Sequence, residues 1–404
     1  MGYRFTRADI AYLGGDAGRA ALVAVGERPL GPATLLGDLE SVRRDHPAHA
    51  AALVETVRLR RRASAKLDAA DWLLTDDALQ QATPSPVARH RADRLAGREV
   101  HDVTCSIGAE LAALHRVCPA VIGSDLDLVR LDMAAHNLAG APNVVLAQAD
   151  ALRPCSAGTV VIADPARRAD GRRTHDPAKL QPPLPDLLSV YRDRDLVVKC
   201  APGLDFDRFT GPEPSRGADG YAGMSWDGEV EVVSLDGAVR EACLWSRGLS
   251  ESGVTRRATV LRGDGSSWTL TDTEPREIPE RGPGEWIVDP DGAVVRAGLV
   301  RHYAARHGLW QLDPRIAYLT GDSVPAGVRG FRILDRLEFR EKPLRAELHR
   351  RDCGPLEILV RGVDVDPDAL RRRIKPRGGT AHTVVITRIG RTATAFVCAT
   401  PPVG

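Results

Sequence analysis

The stretch Glu99-Val100-His101-Asp102-Val103-Thr104-Cys105-Ser106-Ile107-Gly108 reads as a strand that ends in an acidic residue and turns on a glycine. A helix is expected to open directly after it, in Ala109-Glu110-Leu111-Ala112-Ala113-Leu114. Working outward, the same unit recurs. Ala120-Val121-Ile122-Gly123-Ser124 stops at Asp125, Asn143-Val144-Val145-Leu146-Ala147-Gln148 stops short of Asp150, and Thr159-Val160-Val161-Ile162-Ala163 stops at Asp164-Pro165. Strands alternating with helices at this spacing predict an α/β, Rossmann-like parallel sheet. Ligands of such sheets sit outside the carboxyl ends of the strands, and here those ends carry Asp102, Asp125, Asp150 and Asp164.

The turn itself narrows the ligand. Gly108 lets backbone approach a bound group without a side-chain clash, and a following helix N-terminus offers free N–H groups to a carboxylate. A dinucleotide fold needs G-x-G-x-x-G after its first strand, whereas Ala109 and Leu111 stand where further glycines would fall. That weighs strongly against NAD or FAD.

Asp102-Val103-Thr104-Cys105-Ser106-Ile107-Gly108 resembles the first motif of the class I S-adenosylmethionine (SAM) dependent methyltransferases. A longer window, Thr83-Pro84, Val87-Ala88 and His90, then Asp102 to Gly108, then Gly123-Ser124-Asp125-Leu126-Asp127, resembles the trimethylguanosine synthase type of RNA methyltransferase, over about Ala78 to Pro165. The resemblance implies SAM as cofactor, with Asp102, Thr104, Ser106, Gly108, Asp125 and Asp150 around it. Asp125 would take the ribose hydroxyls and Asp150 the adenine amino group. Gln81, Thr83 and His90 become lid residues, or a plain connecting turn and helix. Ser106 departs from the usual glycine, and Asp164-Pro165-Ala166-Arg167 stands where base methyltransferases carry a Pro-Pro-aromatic turn.

Asp164, Pro165 and Arg167 are the catalytic candidates. The carboxylate can accept a proton or hydrogen bond from an attacking amino group, and Arg167 with Arg168 can hold a phosphate bidentately. Residues 169–185, rich in Asp, Arg, Gly and Pro, read as a surface loop able to close over an acceptor.

The 404 residues suffice for two or three domains. Residues 1–82 read as a helical region, with a fourth helix expected at Leu67 to Leu74; 83–275 as the methyltransferase domain; 276–328 as a connecting region; and 329–404 as an α+β domain. Net charge is +1, so overall charge selects no partner, but residues 329–404 hold sixteen Arg and Lys against nine Asp and Glu. Their predicted order β-α-β-α-β-β resembles the THUMP-like domain of some methyltransferases, and THUMP modules bind RNA. Arg371, Arg372, Arg373, Lys375 and Arg377, beside Gly378-Gly379, are the candidate phosphate contacts; a second basic run at Arg58, Arg60, Arg61, Arg62 and Lys66 reads first as a solvated helix face and second as a phosphate-contacting one. Only five of the 55 basic residues are lysines, a bias that coding composition alone produces.

Seven scattered cysteines without a Cys-x-x-Cys pair indicate neither a zinc site nor a disulfide framework, and fit a reducing cytoplasm. No run approaches the ~20 apolar residues of a membrane helix. The leading expectation is therefore a cytoplasmic RNA methyltransferase. A small-molecule methyltransferase is second, and a non-enzymatic RNA-binding protein with a relic cofactor fold is third.

Overall fold

The computed structural model describes residues 2–166, 168–169, 172–174, 176–210 and 220–400. The chain forms two compact units: Met1–Ser252 with Leu261–Ser267, and Gly253–Val260 with Trp268–Gly404.

The first unit opens with helices α1 (Arg7–Gly14), α2 (Asp16–Gly26), α3 (Leu35–Asp45), α4 (Ala50–Ala63) and α5 (Asp76–Gln81). A capping box starts α1: Thr6 Oγ1 accepts from the Asp9 amide, and Asp9 Oδ2 accepts from the Thr6 amide. Leu13, Leu22, Val25, Val42, Leu53 and Leu59 bury one core, and Ile107 of the glycine turn belongs to it.

The helix expected at Leu67 to Leu74 does not form. Its apolar side chains Leu67, Leu73 and Leu74 are buried all the same, but the backbone is paid in side-chain bonds. Arg60 Nε donates to the Trp72 carbonyl at 3.0 Å, and Arg60 Nη2 to that of Asp71. Asn137 Oδ1 accepts from the Leu73 amide at 2.8 Å, while Asn137 Nδ2 donates to the carbonyls of Leu73 and Ile107 at 3.1 and 3.0 Å. The basic run of α4 is likewise used within the chain. Arg61 donates to the carbonyls of Gly26, Arg28 and Pro29, Arg62 pairs with Asp76, and Lys66 donates to those of Leu79 and Gln80. With Arg60, those side chains tie the helical layer together.

After α6 (Ser85–Arg94) the sheet begins, with β1 (Val100–Asp102), β2 (Val121–Asp125), β3 (Val144–Gln148), β4 (Val160–Ala163), β5 (Leu196–Cys200), β6 (Gly228–Leu235) and β7 (Ala238–Ser246). Their order is β3-β2-β1-β4-β5-β7-β6. The first five run parallel, and β7 is antiparallel to both β5 and β6. Strand order reverses between β1 and β4, and that switch point is where a doubly wound sheet opens a ligand crevice. Asp236 and Gly237, at φ 52° and 75°, make the tight β6–β7 turn, as expected of an Asp-Gly pair. The helix after the glycine turn differs from expectation. It is a single turn, α7 (Leu111–Leu114), because residues up to Glu110 are still engaged in the turn.

A hairpin of β8 (Arg256–Leu261) and β9 (Ser267–Thr271) follows, and the second unit goes on with β10 (Trp286–Val288), β11 (Trp310–Gln311), β12 (Leu319–Gly321), β13 (Gly330–Glu338), β14 (Cys353–Arg361), β15 (Thr380–Ile389) and β16 (Thr392–Ala399). The last seven form one sheet, β11-β12-β10-β13-β16-β15-β14, in which only β14–β15 is parallel. Residues 276–328, read from sequence as a connecting region, thus supply three strands to this sheet. The tail alternates strand and helix as predicted, with Glu341–Arg350 after β13 and Pro367–Ile374 between β14 and β15. Asp366 caps the latter helix, accepting from the amides of Asp368 and Ala369, with Pro367 at its first position.

Candidate active site

A cavity of about 1060 Å³ opens at the carboxyl ends of β1 to β5, lined by Asp102, Thr104, Ser106, Asp125, Asp150 and Asp164 among others. Five of the six predicted cofactor residues therefore meet in one place. The sixth, Gly108, acts beneath it: its φ is +85°, and a Cβ there would lie 2.8 Å from Leu138 Cδ1. Ser106, standing where the family has glycine, keeps the left-handed backbone at φ 50°. A non-glycine residue in that region is strained by about 1–2 kcal/mol. Its amide donates to Asp125 Oδ2 at 3.0 Å, and the Asp127 amide donates to Oδ1 at 2.9 Å, so both oxygens of that carboxylate are oriented.

Thr104 links two strand ends. Its hydroxyl donates to Asp102 Oδ1 at 3.2 Å and accepts from the Asp164 amide at 2.7 Å, and its own amide donates to Asp102 Oδ1 at 2.9 Å. Burial pushes the Asp102 carboxyl up to about 7, against the pull of the Thr104 amide and Lys199. In the unfolded chain this group ionises near its ordinary value of 3.8. Between those two values the folded state binds the extra proton, so stability falls as pH rises and the whole contribution is lost above about 7. Asp102→Asn should therefore melt like the wild type at pH ~4 and higher than it at pH ~8, by up to a few kcal/mol; parallel melting curves for the two proteins across that range would refute the assignment.

Lys199, at the end of β5, was not marked by the sequence reading. It is buried, donates to Asp164 Oδ2, and lies 4.0 Å from Glu110 Oε2. Burial alone would lower its pKa, but Asp164 and Glu110 reverse the effect and hold the ammonium above its ordinary range. A lysine inside the apolar strand Leu196-Val197-Val198-Lys199-Cys200 was the available signal. Leu126 was also missed: it lines the cavity while 65% exposed.

Behind the cavity runs a buried ion network. Arg91 on α6 donates to Glu110 Oε1 and to Glu241 Oε1 on β7, and Arg94 pairs with Glu229 and Glu231 on β6. His90 bonds Glu231 at 2.8 Å and does not line the cavity, so it is no lid residue. Gln81 and Thr83 do line it. Ala166 exchanges both backbone bonds with Gln181, and residues 178–183 complete the lining from the loop expected to cover the site. Pro165 lines an adjoining smaller cavity. Arg167 lies outside the described residues, as does the side chain of Arg168, whose backbone pairs with Arg173.

In the tail, Arg371 donates to the Leu356 carbonyl and pairs with Asp368, and Arg373 pairs with Glu341. Arg372, Lys375 and Arg377 of the predicted phosphate cluster stand exposed without such partners among the bonds described. Among the described residues no group of three His, Cys, Asp or Glu is placed to hold a metal, and no helix is long and apolar enough to cross a membrane.

Residues 328–400 match the THUMP domain-like family, and residues 6–63 match a family described as a domain of unknown function. In each of two Mycobacterium tuberculosis strains, a protein described as an uncharacterised S-adenosylmethionine-dependent methyltransferase is 55% identical over 358 residues, covering 86% of this chain and 96% of the relative. A crystal structure from Porphyromonas gingivalis, provisionally classed as a methyltransferase, superposes with a TM-score of 0.71 at 17% identity, covering 98% of this chain and all of the other; it shows a shared fold. The acidic strand ends, the oriented Asp125 carboxylate and an apolar lip at Leu126 suit a nucleoside with hydroxyl and amino groups. The chain belongs to the S-adenosylmethionine-dependent methyltransferases and carries a THUMP-like domain at its C-terminal end.

Proposed function

We propose that the enzyme methylates RNA on an exocyclic base nitrogen, as the trimethylguanosine synthase type does. Bound SAM supplies an electrophilic methyl group. The chain's own part is to position that group, exclude water and receive the acceptor. Asp125 accepts from the ribose hydroxyls, Asp150 from the adenine amino group, and Leu126 covers an apolar face. Asp164 accepts a hydrogen bond from the attacking amino group through Oδ1, while Lys199 holds Oδ2. Support for RNA comes from the THUMP-like match over a tail that exposes Arg372, Lys375 and Arg377.

One observation favours a second reading, a small-molecule acceptor. Among the described residues no Phe, Tyr or Trp lines either cavity next to Asp164, so a flipped base finds no aromatic platform there. Transfer of labelled methyl from SAM to total cellular RNA, with a metabolite extract in parallel, decides between the two. Label confined to the metabolite fraction would overturn the RNA reading.

Two expectations follow for binding. Asp125→Ala should weaken SAM by about 1.5–3 kcal/mol, roughly 10- to 150-fold; calorimetry giving equal affinities would remove Asp125 from the ribose. Replacing Arg372, Lys375 and Arg377 together by Ser should flatten the log–log salt dependence of RNA binding by about 2, at ~0.7 per single-strand contact. Titrations at several salt concentrations read that slope, and identical slopes would leave the tail without a phosphate role.

A further inference from the structure

A second cavity of about 360 Å³ adjoins the first and shares Thr83, Asp164, Ala166 and Lys199 with it. Its volume is at the low end for small-ligand pockets, ~300–1,000 Å³, so it suits one nucleotide-sized group. Its charged lining is Lys66, Lys199, Arg240, Asp164 and Glu241. Both carboxylates are already committed, Asp164 to Lys199 and Glu241 to Arg91. Among the described residues Lys66 and Arg240 have no carboxylate within ion-pair distance. Lys66 spends two N–H bonds on the Leu79 and Gln80 carbonyls, at 2.9 and 3.0 Å, which leaves one N–H. Arg240 is exposed, and its one bond among these, 3.5 Å to the Leu235 carbonyl, is at the limit of a hydrogen bond. Thr83 is 4% exposed and its Oγ1 has no hydrogen-bond partner. A buried hydroxyl left unpaired costs free energy until a ligand pairs it.

We propose that this smaller cavity is an anion subsite for the methyl acceptor, in which Lys66 and Arg240 hold a phosphate and the Thr83 hydroxyl completes its hydrogen bonds. The assignment rests on the reading that the acceptor meets Asp164. The cations crowd one another: burial first, then Lys199 and Arg240, depress the Lys66 amine, and Asp164 only partly offsets them. A phosphate removes that repulsion and offers acceptors to all three groups. On the RNA reading it is the backbone phosphate next to the methylated nucleotide. A phosphorylated small acceptor presents the same chemistry.

The test uses the full chain and inorganic phosphate as the probe, followed by calorimetry. Arg240→Ser should weaken phosphate about tenfold and leave SAM affinity unchanged, because Arg240 lines only the smaller cavity. Thr83→Val should weaken phosphate about threefold without lowering the melting temperature, since the lost hydroxyl has no partner in the protein. No phosphate binding by the wild type, or equal affinity in Arg240→Ser, overturns the subsite. Competition separates the sources. If a nucleoside 5′-monophosphate displaces phosphate and an RNA oligonucleotide does not, the subsite stands and the RNA reading falls. If RNA is methylated with the same KM by the wild type and Arg240→Ser, the RNA reading stands and the subsite falls.

Discussion

Arg91→Met is expected to destabilise the protein by about 3–5 kcal/mol. Arg91 is 1% exposed and is the shared partner of Glu110, beside the glycine turn, and Glu241, on β7. Removing the guanidinium leaves two buried carboxylates without their shared partner, with Lys199 4.0 Å from Glu110. The pair is no bonus over an apolar core, since desolvation consumes most of its attraction; the cost arises from breaking it on one side. Urea denaturation measures it, and adding Glu241→Gln to the variant should recover part of the loss. A loss below about 1 kcal/mol would mean that water or protonation compensates the two carboxylates.

Asp164→Ala is expected to lower methyl transfer by about 10²–10⁴-fold, the usual range for loss of a positioned acid–base group, while SAM binding stays within a few-fold of wild type. The carboxylate is 38% exposed where both cavities meet, with one oxygen held by Lys199; the proposed function gives the other to the acceptor. Single-turnover transfer and calorimetric SAM affinity must be measured on the same preparation. Lys199 loses its nearest counterion in this variant, so a melting curve should accompany them. Wild-type turnover would make Asp164 a structural partner of Lys199 and place the chemistry elsewhere.

Four strands of the parallel half were legible because each is a short run that ends at or just before an acidic residue. That pattern reports both burial and the end at which a ligand crevice forms. The tail was legible for a different reason: Asp366-Pro367 and Gly378-Gly379 punctuate it, and such breaks are local to the residues that make them. The failures share one cause. Leu67 to Leu74 has the apolar spacing of a helix, but Arg60 and Asn137 satisfy its backbone from outside, and periodicity does not register a distant side-chain donor. The internal partners of the basic runs were hidden in the same way. Arg61 and Arg371 look free in sequence because their partners are carbonyls, which every residue carries. Glu110 becomes informative only when the fold brings it to Arg91, whereas Lys199 carried one signal in sequence, a lysine within an apolar strand.

One amide side chain has a consequence for how the first unit comes apart. Asn137 grips both Leu73 and the carbonyl of Ile107, and Ile107 is buried in the core of the N-terminal helices. Losing the helical layer therefore exposes the side chain that anchors the glycine turn, and loosening that turn removes a stitch from the helices. The two should unfold cooperatively, in one thermal step. A ligand seated at the turn would then slow amide exchange at Leu73, even though that residue does not line its cavity. A chain shortened to begin near residue 83 would keep every cofactor contact named here and lose the footing on which those contacts stand.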